Sequence, residues 1–251
     1  MQKTKICFMG NLKIITHVVL LVLIIASTSI FGNSMQAQSN NMHRQTAKTY
    51  KSNSGEMQYL LYLPENNTGT DLPLILFLHG SGERGKDIEL VKKHGPPKLA
   101  EEKKFPFVIV SPQCPNDTWW DVDLLNELLD EVISNNKVDK NRVYLTGLSM
   151  GGYGAWALAA KYPEKFAAIA PICGGGDPGT VSSIKSIPAW VFHGAKDSVV
   201  PLAKSEEMVV ALRNAGGYVT FTIYPEAGHD SWTDTYNNYA LYEWFLNYQL
   251  K

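Results

Sequence analysis

Ser149, Asp197 and His229 stand in a chain order that suits nucleophilic acyl transfer. A serine hydroxyl is a weak nucleophile at its ordinary pKa, so it needs a base within hydrogen-bond reach and an acid to hold that base in the productive tautomer. Gly147-Leu148-Ser149-Met150-Gly151 supplies the nucleophile. This G-x-S-x-G stretch lies between an apolar run, Arg142 to Thr146, and a helix-forming one, Tyr153 to Ala160. Such a context predicts a sharp strand-to-helix turn that lifts the serine oxygen clear of a sheet and sets it beside the N–H groups of a helix N-terminus. Asp197 follows the apolar run Pro188 to Phe192, and His229 follows Tyr218 to Tyr224, which is rich in β-branched and aromatic residues. Both are therefore expected on loops that leave strands.

Acyl transfer also needs donors for the oxyanion that forms on the carbonyl. Pro73 to His79 reads as a buried strand running into the glycine-rich Gly80-Ser81-Gly82. The expected donors are the backbone N–H groups of Ser81 and Met150, each the kind whose loss costs about a hundred- to a thousand-fold in rate. The plain alternative for the first of them is a strand-to-loop turn without a catalytic part. In the expected reaction Ser149 attacks an ester carbonyl, His229 takes its proton, Asp197 orients and stabilises the imidazolium, and water activated by His229 releases the acid.

His79-Gly80-Ser81-Gly82-Glu83-Arg84-Gly85, Ser111-Pro112-Gln113-Cys114-Pro115, Gly147-Leu148-Ser149-Met150-Gly151-Gly152, Pro171-Ile172-Cys173-Gly174-Gly175 and Gly228-His229-Asp230-Ser231-Trp232 together resemble the α/β-hydrolase superfamily. Within it the chain is similar to the secreted carboxylesterase and predicted-peptidase group, related to phospholipase/carboxylesterases and to feruloyl and acetylxylan esterases. The resemblance spans nearly all of the chain after its first segment. It implies Ser149 as nucleophile, His229 as base and Asp197 as acid. Asp177 also follows a strand and competes for the acid's place, but it sits in a glycine-rich loop and the resemblance supports Asp197. The implied activity is carboxylic ester hydrolysis, including acetyl or feruloyl esters of carbohydrates. A serine exopeptidase acting on short peptides and a catalytically silent, carbohydrate-binding hydrolase fold are the alternatives.

Strands are expected near 57–63, 73–79, 107–111, 142–147, 166–172, 188–193 and 218–224, and helices near 87–101, 121–135, 150–161, 201–215 and 237–249. Apolar strands without a polar face, alternating with helices, predict an α/β fold with a mostly parallel central sheet covered on both faces. All three triad candidates fall beyond the carboxyl ends of the strands, where such sheets bind ligands. Only about fifteen residues separate the strands ending at Ile172 and starting at Pro188, too few and too glycine-rich for a helical cap domain. An open cleft that admits a bulky ester is the consequence.

Met1 to Ala37 carries Lys3, Lys5 and Lys13, then the apolar Ile14 to Ala26, then small and polar residues. This reads as a secretory signal, with an apolar core short for a membrane span of roughly 20 residues, so no stable membrane anchor is expected and the product is secreted or periplasmic. Cys7 precedes the apolar core and so does not suit lipid attachment. Losing those three lysines takes 23 basic residues to 20 against 24 acidic ones, a formal net charge of about −4, which does not invite nucleic acid. Residues 38–50 read as a flexible leader and 51–251 as one catalytic domain.

Trp119 and Trp120 should overhang the same end of the sheet as Ser149, with Trp120 the expected platform for a sugar or phenolic ring and core packing the alternative. Trp232 has the same two readings. His79 and His193 are expected to be structural, His94 to cap a helix, Asp121 and Asp123 to cap another, and Glu83 and Arg84 to brace the oxyanion loop. Cys114 and Cys173 both follow strands, and their pairing is left open. No His, Cys and carboxylate spacing fits zinc, and no phosphate loop or dinucleotide fingerprint is present, so the expected chemistry uses no cofactor.

Overall fold

The computed structural model describes residues 45–64 and 71–251, which belong to one compact unit. Short apolar runs become the inner strands of a single sheet: β1 (Thr46–Lys51), β2 (Glu56–Tyr62), β3 (Leu72–Leu78), β4 (Val108–Pro112), β5 (Val138–Leu148), β6 (Ala168–Ile172), β7 (Ala189–Gly194) and β8 (Val219–Tyr224). Their order is β1-β2-β4-β3-β5-β6-β7-β8. β2 runs antiparallel to both β1 and β4, and every other pairing is parallel.

The inner strands are apolar throughout because successive side chains point to opposite faces and both faces are covered. Leu74, Leu76 and Leu78 of β3 join one core cluster, and Ile75 and Phe77 join the other. The first cluster is closed by α2 (Val122–Asn135), α3 (Met150–Lys161) and α4 (Ala203–Asn214). The second is closed by α1 (Gly95–Leu99), α5 (Trp232–Asn237) and α6 (Tyr239–Leu246). Each such buried Leu, Ile or Phe contributes roughly 1.5–3 kcal/mol. α2 starts where Asp121 accepts hydrogen bonds from the N–H groups of Asp123 and Leu124 at 3.0 and 3.1 Å. Asp123 is not a second cap; its carboxylate pairs with Lys161.

Three expected boundaries differ. Residues 46–50, expected in the leader, form β1, an edge strand paired with β2 from Thr46↔Leu61 to Lys51↔Glu56. Its T-A-K-T-Y-K sequence is mostly exposed, so it lacks the apolar signature of an inner strand. Residues 38–44 of the expected leader and the expected signal, 1–37, lie outside the described residues, while Gln45 is buried and its side chain donates to Pro97 O at 2.7 Å. The helix expected over 87–101 is a 3-10 segment (Ile88–Lys93), an extended residue at His94, and then α1. Gly95 at φ +68 and the Pro96-Pro97 pair forbid one continuous helix there. The final helix is divided at Asn238, whose side chain caps α6 by accepting from Ala240 N–H at 3.1 Å.

Between β6 and β7 the chain forms only a 3-10 turn, Pro178–Ile184, that buries Val181 and Ile184. No cap domain is inserted there. Among the described residues, no helix is long and apolar enough to cross a membrane.

Candidate active site

β5 delivers Ser149 and α3 leaves it at once. The serine backbone sits at φ 53, ψ −117, a left-handed conformation that only a tightly over-determined turn sustains. Close approach explains the flanking glycines. A Cβ on Gly147 would lie 2.3 Å from the Gly151 carbonyl oxygen, and one on Gly151 would lie 1.9 Å from that of Leu78. Ser149 N–H donates to Ile172 O at 3.0 Å, which ties the turn to β6.

His229 lies on the loop after β8, with Nε2 3.0 Å from Ser149 Oγ and Nδ1 2.8 Å from Asp197 Oδ2. Asp197, on the loop after β7, takes Val199 and Val200 N–H on Oδ1, both at 2.9 Å. Burial pushes this carboxyl up, but the His229 N–H and the two backbone N–H groups outweigh it and hold Asp197 below the usual carboxylate range. An ionised Asp197 makes His229 Nδ1 the donor, which leaves Nε2 free to accept the serine proton. The structure brings Asp197, not Asp177, to the imidazole; Asp177 instead accepts from Gly179 N–H and starts the 178–184 turn.

Ser81 opens a short 3-10 turn, Ser81–Glu83, just after β3. The loop passes beside Ser149: a Cβ on Gly80 would be 3.6 Å from Ser149 Cβ. Glu83 is buried, and its carboxylate accepts Gly80 N–H at 3.1 Å. Burial pushes its carboxyl up, opposed by that hydrogen bond and by Lys93. Arg84 donates from Nε to Ser81 O and from Nη1 to Thr118 O, both at 3.1 Å, so it joins this loop to the one bearing Trp119. Met150 is the first residue of α3, where helix N–H groups lack intrahelical acceptors.

The tryptophans divide differently from expectation. Trp120 is 8% exposed, packs with the α2–α3 core and sets its ring 4.7 Å from His79, so it offers no face to a ligand. Trp119 is 66% exposed and meets Tyr153, one turn into α3 from Ser149, edge-on at 6.0 Å. Trp232 is half-buried, perpendicular to His229 at 5.1 Å and packed on His94 at 5.5 Å. His94 makes no cap hydrogen bond; its Nε2 is 3.7 Å from Glu83 Oε1, and its ring packs on Trp232 instead. His79 is structural as expected: Nε2 accepts Cys114 N–H at 3.0 Å and Nδ1 faces Gly80 O.

Cys114 and Cys173 are free and buried. Cys173 has a strained backbone at φ 40, and burial pushes its thiol up to about 12. Ligand atoms of Cys173, Asp197 and His229 lie within 4.8 Å of one another. A thiol kept protonated is a poor metal ligand, and the other two residues already bond each other. The sequence missed Tyr153 and the approach of His193 to Asp197, although His193 and Asp197 at i and i+4 on one strand-end loop were a legible signal.

Residues 51–190, more than half of the chain, match the family model described as "Putative esterase". The chain belongs to this esterase family. Residues 180–251 also match a model of the prolyl oligopeptidase family. The chain is 29% identical over 141 residues to poly(3-hydroxyalkanoate) depolymerase C of Paucimonas lemoignei, a match covering 50% of this chain and 33% of that protein. It is 27% identical to a probable feruloyl esterase C of Aspergillus terreus, covering 70% of this chain and 68% of the relative. A solved thermostable esterase superposes with a TM-score of 0.73 at 34% identity, covering 82% of this chain and 63% of that one. The chain thus spans about a third of the depolymerase's length.

Proposed function

We propose that the chain hydrolyses carboxylic esters through a Ser149-His229-Asp197 triad and an acyl-enzyme intermediate, on acetyl or feruloyl esters of carbohydrates. The observation that carries this reading is the hydrogen-bonded line from Ser149 Oγ to His229 to Asp197, at 3.0 and 2.8 Å, set on a strained elbow. His229 removes the serine proton as Ser149 attacks the ester carbonyl, and the N–H groups of Ser81 and Met150 receive the oxyanion. His229 returns the proton to the leaving alcohol, and the reverse sequence with water frees the acid. The likeness to a feruloyl esterase, the uncapped cleft and the exposed ring of Trp119 support a planar or sugar-bearing substrate. Trp232, perpendicular to His229 at 5.1 Å, is the second ring close to the proposed triad.

Amide hydrolysis is the second reading, favoured by the prolyl oligopeptidase match over 180–251. Turnover of p-nitrophenyl acetate, methyl ferulate, acetylated xylan and aminoacyl p-nitroanilides separates the two. Ester turnover without anilide turnover is expected; the opposite overturns the ester reading. Ser149→Ala should reduce ester turnover by several orders of magnitude, on the order of a million-fold in well-studied triads, while leaving the fold intact. More than a tenth of the activity surviving in a pure sample removes Ser149 from the mechanism. Asp197→Asn should cost far more than Asp177→Asn. The amino-terminal 37 residues are proposed to act as a secretory signal, tested by the amino terminus of the exported protein.

A further inference from the structure

We infer that His193 is a positioning residue for the proposed triad, holding Asp197 from the side opposite His229; this rests on the reading of Ser149, His229 and Asp197 as that triad. His193 is fully buried at the end of β7, and its Nε2 lies 3.2 Å from Asp197 Oδ2, the same oxygen that faces His229. That nitrogen is also 2.9 Å from Val200 O. On the far edge of the ring Nδ1 is 2.8 Å from the hydroxyl of Ser205, itself fully buried on α4 and 2.8 Å from Gly174 O.

The Asp197 carboxylate has about four acceptor positions. Val199 and Val200 N–H fill those of Oδ1, and the two imidazoles face Oδ2. His193 Nε2, bonded to Val200 O at 2.9 Å, stands 3.2 Å from Oδ2 and so limits how far the carboxylate can turn away from His229. Removing His193 leaves Oδ2 with His229 alone, and the angle at which Asp197 presents itself to the base is no longer fixed. The far end of the line matters as well. Gly174 packs so tightly on the start of α3 that a Cβ there would lie 2.7 Å from the Gly152 carbonyl carbon. Ser205 and His193 therefore tie the acid's loop to the loop behind the nucleophile, which sets the two ends of the triad in one frame.

A buried histidine that merely fills the core would influence stability alone. A thermodynamic cycle distinguishes the two roles: His193→Phe and His193→Gln, each in the natural and the Asp197→Asn background, assayed for kcat and KM on p-nitrophenyl acetate with thermal unfolding alongside. His193→Phe should lower kcat by roughly ten- to a hundred-fold with KM little changed, the range typical of groups that orient a functional side chain. His193→Gln, which keeps an N–H near the Nε2 position, should recover part of the loss. In the Asp197→Asn background the same substitutions should cost less than about threefold, because residues that act as a unit are non-additive. Equal losses in both backgrounds, or losses that follow only the unfolded fraction, overturn the inference. Should the Phe variant fail to fold, the Gln variant and Ser205→Ala carry the same cycle. Ser149→Ala serves as the control: a largely active alanine variant means that the triad reading has failed, whereas an inactive one with additive His193 effects means that only the positioning role has.

Discussion

Glu83 keeps a carboxylate where burial disfavours its charge, in return for fixing Gly80 N–H and with it the loop beside Ser149. A carboxyl whose folded pKa is raised contributes stability below its unfolded pKa and loses it as pH rises through the folded value, so at neutral pH the charge is a cost. Glu83→Gln keeps an acceptor for Gly80 without the charge. Its melting temperature at pH 7 should match or exceed that of the natural protein, the difference narrowing as pH falls through the raised folded value and closing by about pH 4.5, near the unperturbed carboxyl value. Glu83→Ala orphans the buried N–H at a cost of about 1–3 kcal/mol and should lower both melting temperature and ester turnover. The tryptophan pair yields a second test. Trp119→Ala should reduce kcat/KM for feruloyl or sugar esters about two- to twelve-fold and spare p-nitrophenyl acetate, since a stacked ring is worth roughly 0.5–1.5 kcal/mol. Trp120→Ala should instead cost about 3–5 kcal/mol of stability and depress all substrates together. Sequence placed both rings at the right end of the sheet, but adjacent residues point in different directions and nothing in Trp119-Trp120 says which one meets the core. The three residues of the proposed triad stood out in the sequence because each follows a strand, whereas the network behind them depends on where Ser205 and Gly174 come to lie.

At the scale of elements, legibility follows burial. β3 to β7 announce themselves as apolar runs because the parallel sheet is covered on both faces, whereas β1 is an exposed edge strand whose polar residues give no such signal. The break at Asn238 was hidden in a segment whose composition is otherwise helical, whereas Gly95-Pro96-Pro97 is itself a breaking run that the helix expected over 87–101 overran. Among the described glycines, the turn after Ser149 holds the closest backbone approach. Gly151→Ala places a methyl 1.9 Å from Leu78 O, a backbone atom that cannot yield without moving β3, so the variant should be recovered insoluble or unfolded. Gly82→Ala, on the oxyanion loop, meets nothing within 4 Å and should fold with an unaltered melting temperature. Comparing soluble yield and thermal unfolding of the two variants checks whether close approach, and not glycine content as such, shapes the site.

For the whole molecule, acid is the condition that tests how the sheet and the site share their buried polar groups. His79 is fully buried beneath the oxyanion loop, and desolvation, opposed by its bond to Gly80 O, lowers its pKa to about 4. A histidine with a depressed folded pKa binds its proton more readily when unfolded, so its contribution to stability is complete above about pH 6.5 and is lost as pH falls toward the folded value. The slope is about 1.4 kcal/mol per pH unit, which amounts to a loss on the order of 3 kcal/mol between pH 6.5 and 4. Asp197 acts in the same direction lower down: its depressed pKa stabilises the fold above the unfolded carboxyl value, and that stability goes as pH falls through the folded one. The free cysteines add no covalent staple against this. Denaturant unfolding measured from pH 7 to 4 should therefore show the His79 contribution lost between about pH 6.5 and 4 in the natural protein, partly offset by the opposite trend of Glu83. His79→Phe orphans the Cys114 N–H and should be weaker at pH 7, yet its decline between pH 6.5 and 4 should be shallower by most of those roughly 3 kcal/mol. Parallel curves for the two proteins would mean that His79 is not the group whose protonation opens the fold.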